Sequence, residues 1–181
     1  MAGKNLGTSK MTGFTIVELL IVIVVIAVLA TLTVSAFQGT QAKARDSIRK
    51  ADLMNIKKAL LSQYNVSGTW ARAGDACSTA TRTDGFLSLR YTVKSMVDCL
   101  VDDGFLKYDI VDPSGARSCP VSTTVGCRTY MKVHCVVSGQ QRVYIYASLE
   151  TEANGTSLTE HCSLGASWDS NYGLNYALQV M

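Results

Sequence analysis

The chain has 181 residues, with 17 Lys or Arg against 14 Asp or Glu and a formal net charge of +3. This length suits one modest domain and an anchor, since domains run to roughly 100–200 residues, and it excludes two large domains. A charge this close to neutral argues against nucleic-acid binding through bulk charge and leaves only a local patch open.

An acidic residue stands near the start of a long apolar run. The run extends from Phe14 to Phe37, and as a helix it would measure about 36 Å, enough to cross a hydrocarbon core of about 30 Å. An ionised Glu18 inside a membrane costs about 2.5–3.5 kcal/mol, so such an acid usually has a partner and a function. Glu18 has no cation near it in sequence. Cleavage between Gly13 and Phe14 would supply one, because the new α-amino group has a pKa of about 8.

The segment that starts at Gly13 reads Gly-Phe-Thr-Ile-Val-Glu-Leu-Leu and continues into an aliphatic tract. It resembles the class III signal of type IV pilins and pseudopilins. The resemblance implies that a prepilin peptidase cuts after Gly13 and N-methylates Phe14, and that Glu18 meets a neighbouring subunit's terminal amine during assembly. Thr12 stands where the family often has Lys or Arg, and the tract lacks the proline of many pilins. Strict matching covers about residues 10–32.

An ordinary secretory signal is the rival interpretation of the same segment. Lys4 and Lys10 would form its basic region, Leu19 to Ala30 its apolar core, and Val34-Ser35-Ala36 its cleavage site. That interpretation leaves Glu18 unexplained and requires a cut where the helical pattern continues. We therefore prefer the pilin-type signal.

Two lines of argument conflict about the orientation of the anchor. The positive-inside rule favours a cytoplasmic location for the larger basic cluster, which follows the tract: Lys43, Arg45, Arg49, Lys50, Lys57 and Lys58. We place that side outside, because all six cysteines follow the tract and the resemblance requires it. The expected location is a single-pass membrane precursor and then an extracellular filament on the cell surface.

The residues after the tract predict that the helix continues from Gln38 to Tyr64, with no proline and only Gly39 as an interruption. Weak helix formers between Thr31 and Gly39 leave open either local unwinding or simple tolerance within a stable helix. Apolar residues recur at spacings of three and four and predict a stripe that packs on a sheet: Leu53, Ile56, Leu60 and Tyr64. The basic residues of the other faces are interpreted as solvated surface, with contacts to acidic neighbours in a filament as the alternative: Arg49, Lys50, Lys57 and Lys58.

The remainder predicts a small head with an antiparallel sheet of three or four strands on the stem stripe, and hence an α+β fold resembling a pilin. Thr129–Val137 and Arg142–Glu150 read as a hairpin, and Tyr172–Val180 alternates as a third strand. The segments before the hairpin are a loop, a short helix and a turn: 65–84, 93–101 and 112–115.

Six cysteines in an even number favour disulfides in an oxidising space: Cys77, Cys99, Cys119, Cys127, Cys135 and Cys162. No C-x-x-C pair suggests zinc. Six cysteines allow 15 pairings, and proximity favours Cys119 with Cys127, while the others stay open. A calcium site at Asp112 is not expected, because one Asp in a turn is usually only a turn.

No catalytic constellation is present in the sequence. His134 and His161 each precede a cysteine, but adjacent side chains on a strand point to opposite faces. The chain has no G-x-S-x-G, phosphate-binding glycine loop or H-E-x-x-H. We predict a protein that is not an enzyme and has no cofactor and no metal.

The predicted organisation has four parts: a leader at 1–13, a transmembrane and filament-core helix at 14–37, an amphipathic stem at 38–64 and a globular head at 65–181. The predicted function is a structural subunit of a type IV pilus-like filament for adhesion, twitching motility or DNA uptake. Its partners would be further copies or other pilins, the prepilin peptidase, the pilus assembly platform and, before assembly, membrane lipid.

Two alternatives stay open. One is a pseudopilin of a type II secretion-like or competence machine, and the other is a secreted or anchored binding domain with an ordinary signal peptide. The size of the six-cysteine head favours a surface pilus. Neither DNA nor a host surface as a ligand has support in these residues.

Overall fold

The computed structural model describes residues 13–68, 70, 77, 84–90, 94–118, 128–137, 139–152, 162 and 172–181. The elements in chain order are α1 (Ile16–Ser67), β1 (Gly85–Phe86), α2 (Met96–Asp102), β2 (Met131–Val137), β3 (Gln140–Ala147) and β4 (Tyr176–Gln179). The chain divides into a first compact unit that ends at Thr40 and a second that begins at Gln41. The predicted α+β class, with a long N-terminal helix and a small antiparallel sheet, is confirmed.

Helix α1 runs without interruption over 52 residues. The segment that contains weak helix formers stays helical, and two of its hydroxyls bond back to the preceding turn: Thr31 Oγ1 donates to the Val28 carbonyl at 2.7 Å and Thr33 Oγ1 to that of Ala30 at 2.9 Å. The helix ends three residues later than predicted. Gly68, at a φ of 68°, provides the left-handed residue that stops helices.

In the first unit, the aliphatic side chains of α1 face outward all round. Each large aliphatic residue from Ile16 to Val34 is more than half exposed. Within the described residues, α1 is the one helix that is long and apolar enough to cross a membrane, judged by length and composition. A surface of this kind needs lipid or other apolar helices to cover it.

The sheet of the second unit has the order β1-β2-β3-β4, and every neighbouring pair is antiparallel. The predicted hairpin is confirmed as β2 and β3, with Val137 opposite Gln140. Its turn is therefore two residues long, shorter than expected, and it includes Gly139 at a φ of 78°. Strand β4 is also shorter than predicted, and the two-residue β1 was not predicted.

One face of the sheet packs on α1. Leu53, Ile56 and Leu60 are fully buried and share a core with Val143, Ile145 and Ala147 of β3, so three members of the predicted stripe are confirmed. Covering each aliphatic side chain contributes roughly 1.5–3 kcal/mol. The fourth member, Tyr64, is only half-buried, and its ring stacks on Trp70 with centroids 4.4 Å apart.

The opposite face of the sheet is covered too. A second core joins both hairpin strands to residues from other parts of the chain: Phe86, Met131, Val133, Cys135, Tyr144, Tyr146, Cys162 and Leu174. The sequence predicted only the helix-covered face. This second cover was missed because Phe86, Cys162 and Leu174, which supply it, lie far apart in sequence and share no period.

Within the described residues, two disulfides join cysteines from other parts of the chain to this framework. Cys77 bonds Cys99 in α2, and Cys135 in β2 bonds Cys162, each pair with 5.4 Å between Cα atoms. The favoured pair, Cys119 with Cys127, lies outside the described residues.

The interpretation of Arg49 as solvated surface is wrong. Its side chain is fully buried and meets three carboxylates: Asp112 at 2.7 and 3.1 Å, Asp46 at 2.8 Å and Glu150 at 2.8 Å. Burial alone would lower the pKa of Arg49, but the carboxylates, Asp112 foremost, raise it. Helical periodicity could not reveal this, since two of the acids lie 63 and 101 residues away.

None of the three lysines that were predicted to lie on the surface of α1 is fully buried as Arg49 is. Lys58 is exposed, as expected. Lys50 is also exposed, but its ammonium pairs with Glu152 at 2.9 Å within the same chain. Lys57 is half-buried.

The predicted turn at Asp112 is confirmed, and it positions the carboxylate that pairs with Arg49. The Gly115 amide donates to the Asp112 carbonyl at 2.7 Å. The Ser114 amide donates to Asp112 Oδ1 at 2.8 Å. The Asp112 carboxylate therefore accepts hydrogen bonds both from Arg49 and from the Ser114 amide of its own turn. Among the described residues no group of three or more His, Cys, Asp or Glu is placed to hold a metal.

Candidate processing and assembly site

The first turn of α1 is closed by a reciprocal pair of residues. Thr15 Oγ1 accepts the backbone N–H of Glu18 at 3.3 Å, and Glu18 Oε2 accepts the backbone N–H of Thr15 at 2.8 Å. The Thr15 hydroxyl also donates to Glu18 Oε2 at 2.8 Å. This is a capping box, in which a hydroxyl and a carboxylate satisfy amides that a helix start leaves without partners.

Sequence reasoning missed the role of Thr15. The signal was present, since Thr-x-x-Glu before an apolar run is the usual pattern of a capping box. Besides carrying a charge, Glu18 lies at the N3 position of its own helix.

The Gly13–Phe14 peptide bond precedes the helix and is open to solvent. Both residues are exposed, Phe14 to 86%. A Cβ added at Gly13 would meet nothing within 4 Å. The fold of the chain therefore does not require glycine at this position, and any demand for glycine comes from a molecule that acts on it.

Glu18 is satisfied by its own helix start and not by a cation. No ion pair to Glu18 forms within the described residues, and both bonds from Thr15 go to Oε2. The carboxylate lies where the partial positive charge of a helix N-terminus favours an anion. Its other oxygen, Oε1, is open to an ammonium group brought by another molecule.

The residues predicted for processing and assembly lie together, and the cysteines do not join them. Gly13, Phe14 and Glu18 occupy six consecutive positions at the start of α1, in the first unit. The described cysteines belong to the second unit, where they form the disulfides given above. The site is thus built from one short segment of chain.

The predicted separation of His134 from Cys135 is confirmed. His134 Nδ1 lies 2.5 Å from Asp84 Oδ1, whereas Cys135 is engaged in its disulfide in the core of the other sheet face. The two side chains do not form a thiol–imidazole pair. His161 lies outside the described residues.

Comparison with known proteins identifies a family motif at the start of the chain. The family model for the prokaryotic N-terminal methylation motif matches residues 8–34, which include Gly13, Phe14 and Glu18. No curated protein and no solved structure matches the chain. The chain thus carries the prokaryotic N-terminal methylation motif, the class III signal of type IV pilins and pseudopilins.

Proposed function

We propose that this protein is a structural subunit of a type IV pilus-like filament, cleaved after Gly13, N-methylated on Phe14 and assembled through α1. The observation that supports this most directly is the methylation motif at residues 8–34, which leads into an apolar helix exposed on all sides. In this proposal residues 1–13 are a leader, 14–37 the anchor and filament core, and 65–181 the head.

The apolar half of α1 has two successive environments in this proposal. As a precursor it lies in the membrane, where its aliphatic side chains contact lipid. In the filament the same side chains contact the helices of other copies. Both environments remove the exposed aliphatic surface from water, so extraction from lipid costs little hydrophobic free energy.

In this proposal Glu18 sets the position of each helix relative to its neighbour, which apolar packing alone would not fix. Cleavage creates an ammonium at Phe14, and methylation leaves that nitrogen basic. An ammonium of a neighbouring subunit would meet Glu18 Oε1, while Thr15 holds Oε2. A misplaced subunit would leave a charge unpaired in an apolar surrounding, which is costly.

The second unit forms the outer surface in this proposal. Disulfides such as Cys77–Cys99 persist in oxidising compartments, which supports a location outside the cytoplasm. The proposed partners are other copies or other pilins, the prepilin peptidase and a pilus assembly platform. The six-cysteine head favours a surface pilus over a pseudopilin machine.

N-terminal sequencing of the mature protein tests the proposal. Cells that express the full chain with a prepilin peptidase should yield a protein that begins with N-methylated Phe14. A protein that begins at Phe37 would support ordinary secretion and contradict the proposal, as would retention of all 181 residues. Electron microscopy of sheared surface material, with mass spectrometry of any filaments, should then find this chain in the polymer.

A further inference from the structure

A groove lies in the second unit between α1 and the segment that follows α2. Asn55, Lys58 and Ser62 of α1 form one wall, and Lys107 and Tyr108 stand on the other. The groove encloses about 330 Å³, which is at the small end of ligand sites. Its described lining includes no residue of the methylation motif and no cysteine of the two described disulfides.

The floor of the groove is apolar. Ala59 and Ile110 are almost completely buried, and Phe105 and Leu106 are half-buried beside them. The outer rim is different, because Tyr108 is 59% exposed and Lys58 and Lys107 are both exposed. The groove therefore offers an apolar base below two ammonium groups.

Both rim lysines lack a described partner. Neither Lys58 nor Lys107 forms an ion pair or hydrogen bond with any residue that the structure describes. No acid is among the described residues that line the groove. The uncompensated charge at this rim is thus positive, and it complements an anion.

The acids closest to the groove in sequence are already engaged. Asp102 pairs with Lys94, Asp103 accepts a hydrogen bond from Gln63 at 3.1 Å, and Asp109 pairs with Arg117 at 2.6 Å. Every other carboxylate in the described part of the second unit also has a partner within its own chain. A second copy that used one of these described side-chain carboxylates to neutralise the lysines would have to break such a pair, which favours a different protein as the source of the anion.

The dimensions of the groove fit a short extended peptide. Its α1 wall runs two turns from Asn55 to Ser62, about 10 Å, which equals about three residues of extended chain. Alternate side chains of such a chain point to opposite sides. An apolar middle residue would face the floor while acidic residues on either side of it face the rim.

We propose that this groove binds an extended acidic peptide segment of a partner protein, with the pattern acid-apolar-acid. The carboxylates pair with Lys58 and Lys107, and the apolar side chain lies on Ala59 and Ile110. A nucleic acid is disfavoured, since two lysines neutralise few phosphates and the whole chain is close to neutral. The groove's chemistry does not depend on the proposed filament function.

Titration of the ¹⁵N-labelled full-length protein in detergent micelles with acetyl-Glu-Leu-Glu-amide tests this site. Shifts should concentrate at residues 55–62 and 105–110. The Gln-Leu-Gln peptide should not bind, Glu-Ser-Glu should bind more weakly, and 0.5 M NaCl should weaken the complex. Equal binding of the glutamine peptide would overturn the proposal.

Charge-removing variants test the two lysines. Lys58→Gln and Lys107→Gln should each raise the dissociation constant about two- to fivefold, as expected for exposed ion pairs, and together about tenfold. Lys43→Gln is the matched control, because Lys43 is another exposed lysine of α1 without a described ion pair. An equal loss of affinity with Lys43→Gln would show that the peptide responds only to the overall charge of the protein, and it would refute the site.

Two further measurements separate the proposed partner from other occupants. Self-association of the protein that requires Lys58 and Lys107 would identify a second copy as the occupant and contradict the proposal. Tighter binding of a single-stranded oligonucleotide with the same lysine dependence would also contradict it. Absence of both, with binding of the acidic peptide, supports it.

Discussion

Arg49 and Asp112, 63 residues apart in sequence, form a fully buried two-point ion pair, with Nε 2.7 Å from Oδ2 and the terminal nitrogen 3.1 Å from Oδ1. The same guanidinium also reaches Glu150, whose carboxylate is held by Arg45 at 2.5 Å. Asp46 extends the set, because its carboxylate accepts the backbone N–H groups of Glu150 and Thr151, each at 2.8 Å. The amphipathic half of α1 is thereby fixed to the sheet's connections by charge as well as by apolar packing.

Loss of Arg49 should destabilise the second unit strongly. Arg49→Met leaves Asp112 and Asp46 buried without their cation, and breaking a buried pair from one side costs about 3–5 kcal/mol. Urea unfolding of the full-length protein in detergent, followed by Trp fluorescence, measures this. Lys57→Met is the control on the same helix and should change the free energy of unfolding by less than about 0.5 kcal/mol. A small effect of Arg49→Met would show that the network contributes little.

The second unit should lose stability in acid. Hydrogen bonds from Arg45, opposed by burial and aided by Arg49, lower the pKa of Glu150 from 4.5 to about 2. A carboxyl group with a lowered folded-state pKa stabilises the fold above its unfolded pKa and loses that contribution as the pH falls through the folded value. The loss from Glu150 should therefore fall between about pH 5 and pH 2 and amount to at most about 3 kcal/mol.

Unfolding free energies of the wild type and Glu150→Gln at pH 7, 5, 3 and 2 test this pH dependence. The variant should be less stable at pH 7 and should show a smaller decline on acidification. Asp98, whose pKa Arg90 lowers to about 2, keeps its own contribution in both proteins. Parallel pH curves would mean that Glu150 is not linked to stability.

Gly13→Ala should leave an uncut precursor. The added methyl group meets no atom of the chain, so a processing defect would arise from recognition by the peptidase and not from a disturbed fold. Mass spectrometry of the membrane fraction distinguishes the 181-residue precursor from the mature chain. Gly39→Ala is the matched control, because its site is equally open and lies within α1. Normal processing of Gly13→Ala would contradict the assignment of the cleavage site.

Glu18→Gln should be cleaved normally but should assemble poorly. Glutamine keeps the size and the capping geometry of glutamate, since it still accepts a hydrogen bond from the Thr15 amide. It removes the charge that would attract a neighbour's ammonium. Counting filaments in sheared fractions by electron microscopy, against the amount of mature subunit in the membrane, measures the defect. Filaments in wild-type quantity would refute the docking role.

Thr15→Val should weaken the helix start while leaving the charge of Glu18 in place. Loss of an N-terminal cap costs about 0.5–2 kcal/mol, and Glu18 would keep only its bond from the backbone amide. We expect fewer filaments than wild type and more than Glu18→Gln. Thr15→Ser, which preserves the hydroxyl, should assemble normally. An equal defect in Ser and Val variants would place the requirement elsewhere than in the hydroxyl.

Local patterns in the sequence were enough to find the methylation motif at the start of the chain. Gly13, Phe14 and Glu18 lie within six positions, so their spacing is readable from the chain itself. The stripe at Leu53, Ile56 and Leu60 and the β2–β3 hairpin were predictable for a similar reason. Helical and strand periods act over a few residues and record which face is buried.

Only the tertiary structure showed which distant residues contact each helix and strand. Arg49 reads as one more surface base until the fold brings Asp112 and Glu150 to it across 63 and 101 residues. The cover of the second sheet face and the groove beside Lys58 likewise join segments that share no period. A side chain's burial and charge partners are set by long-range contacts, because the free energy that stabilises them exists only once distant segments have packed together.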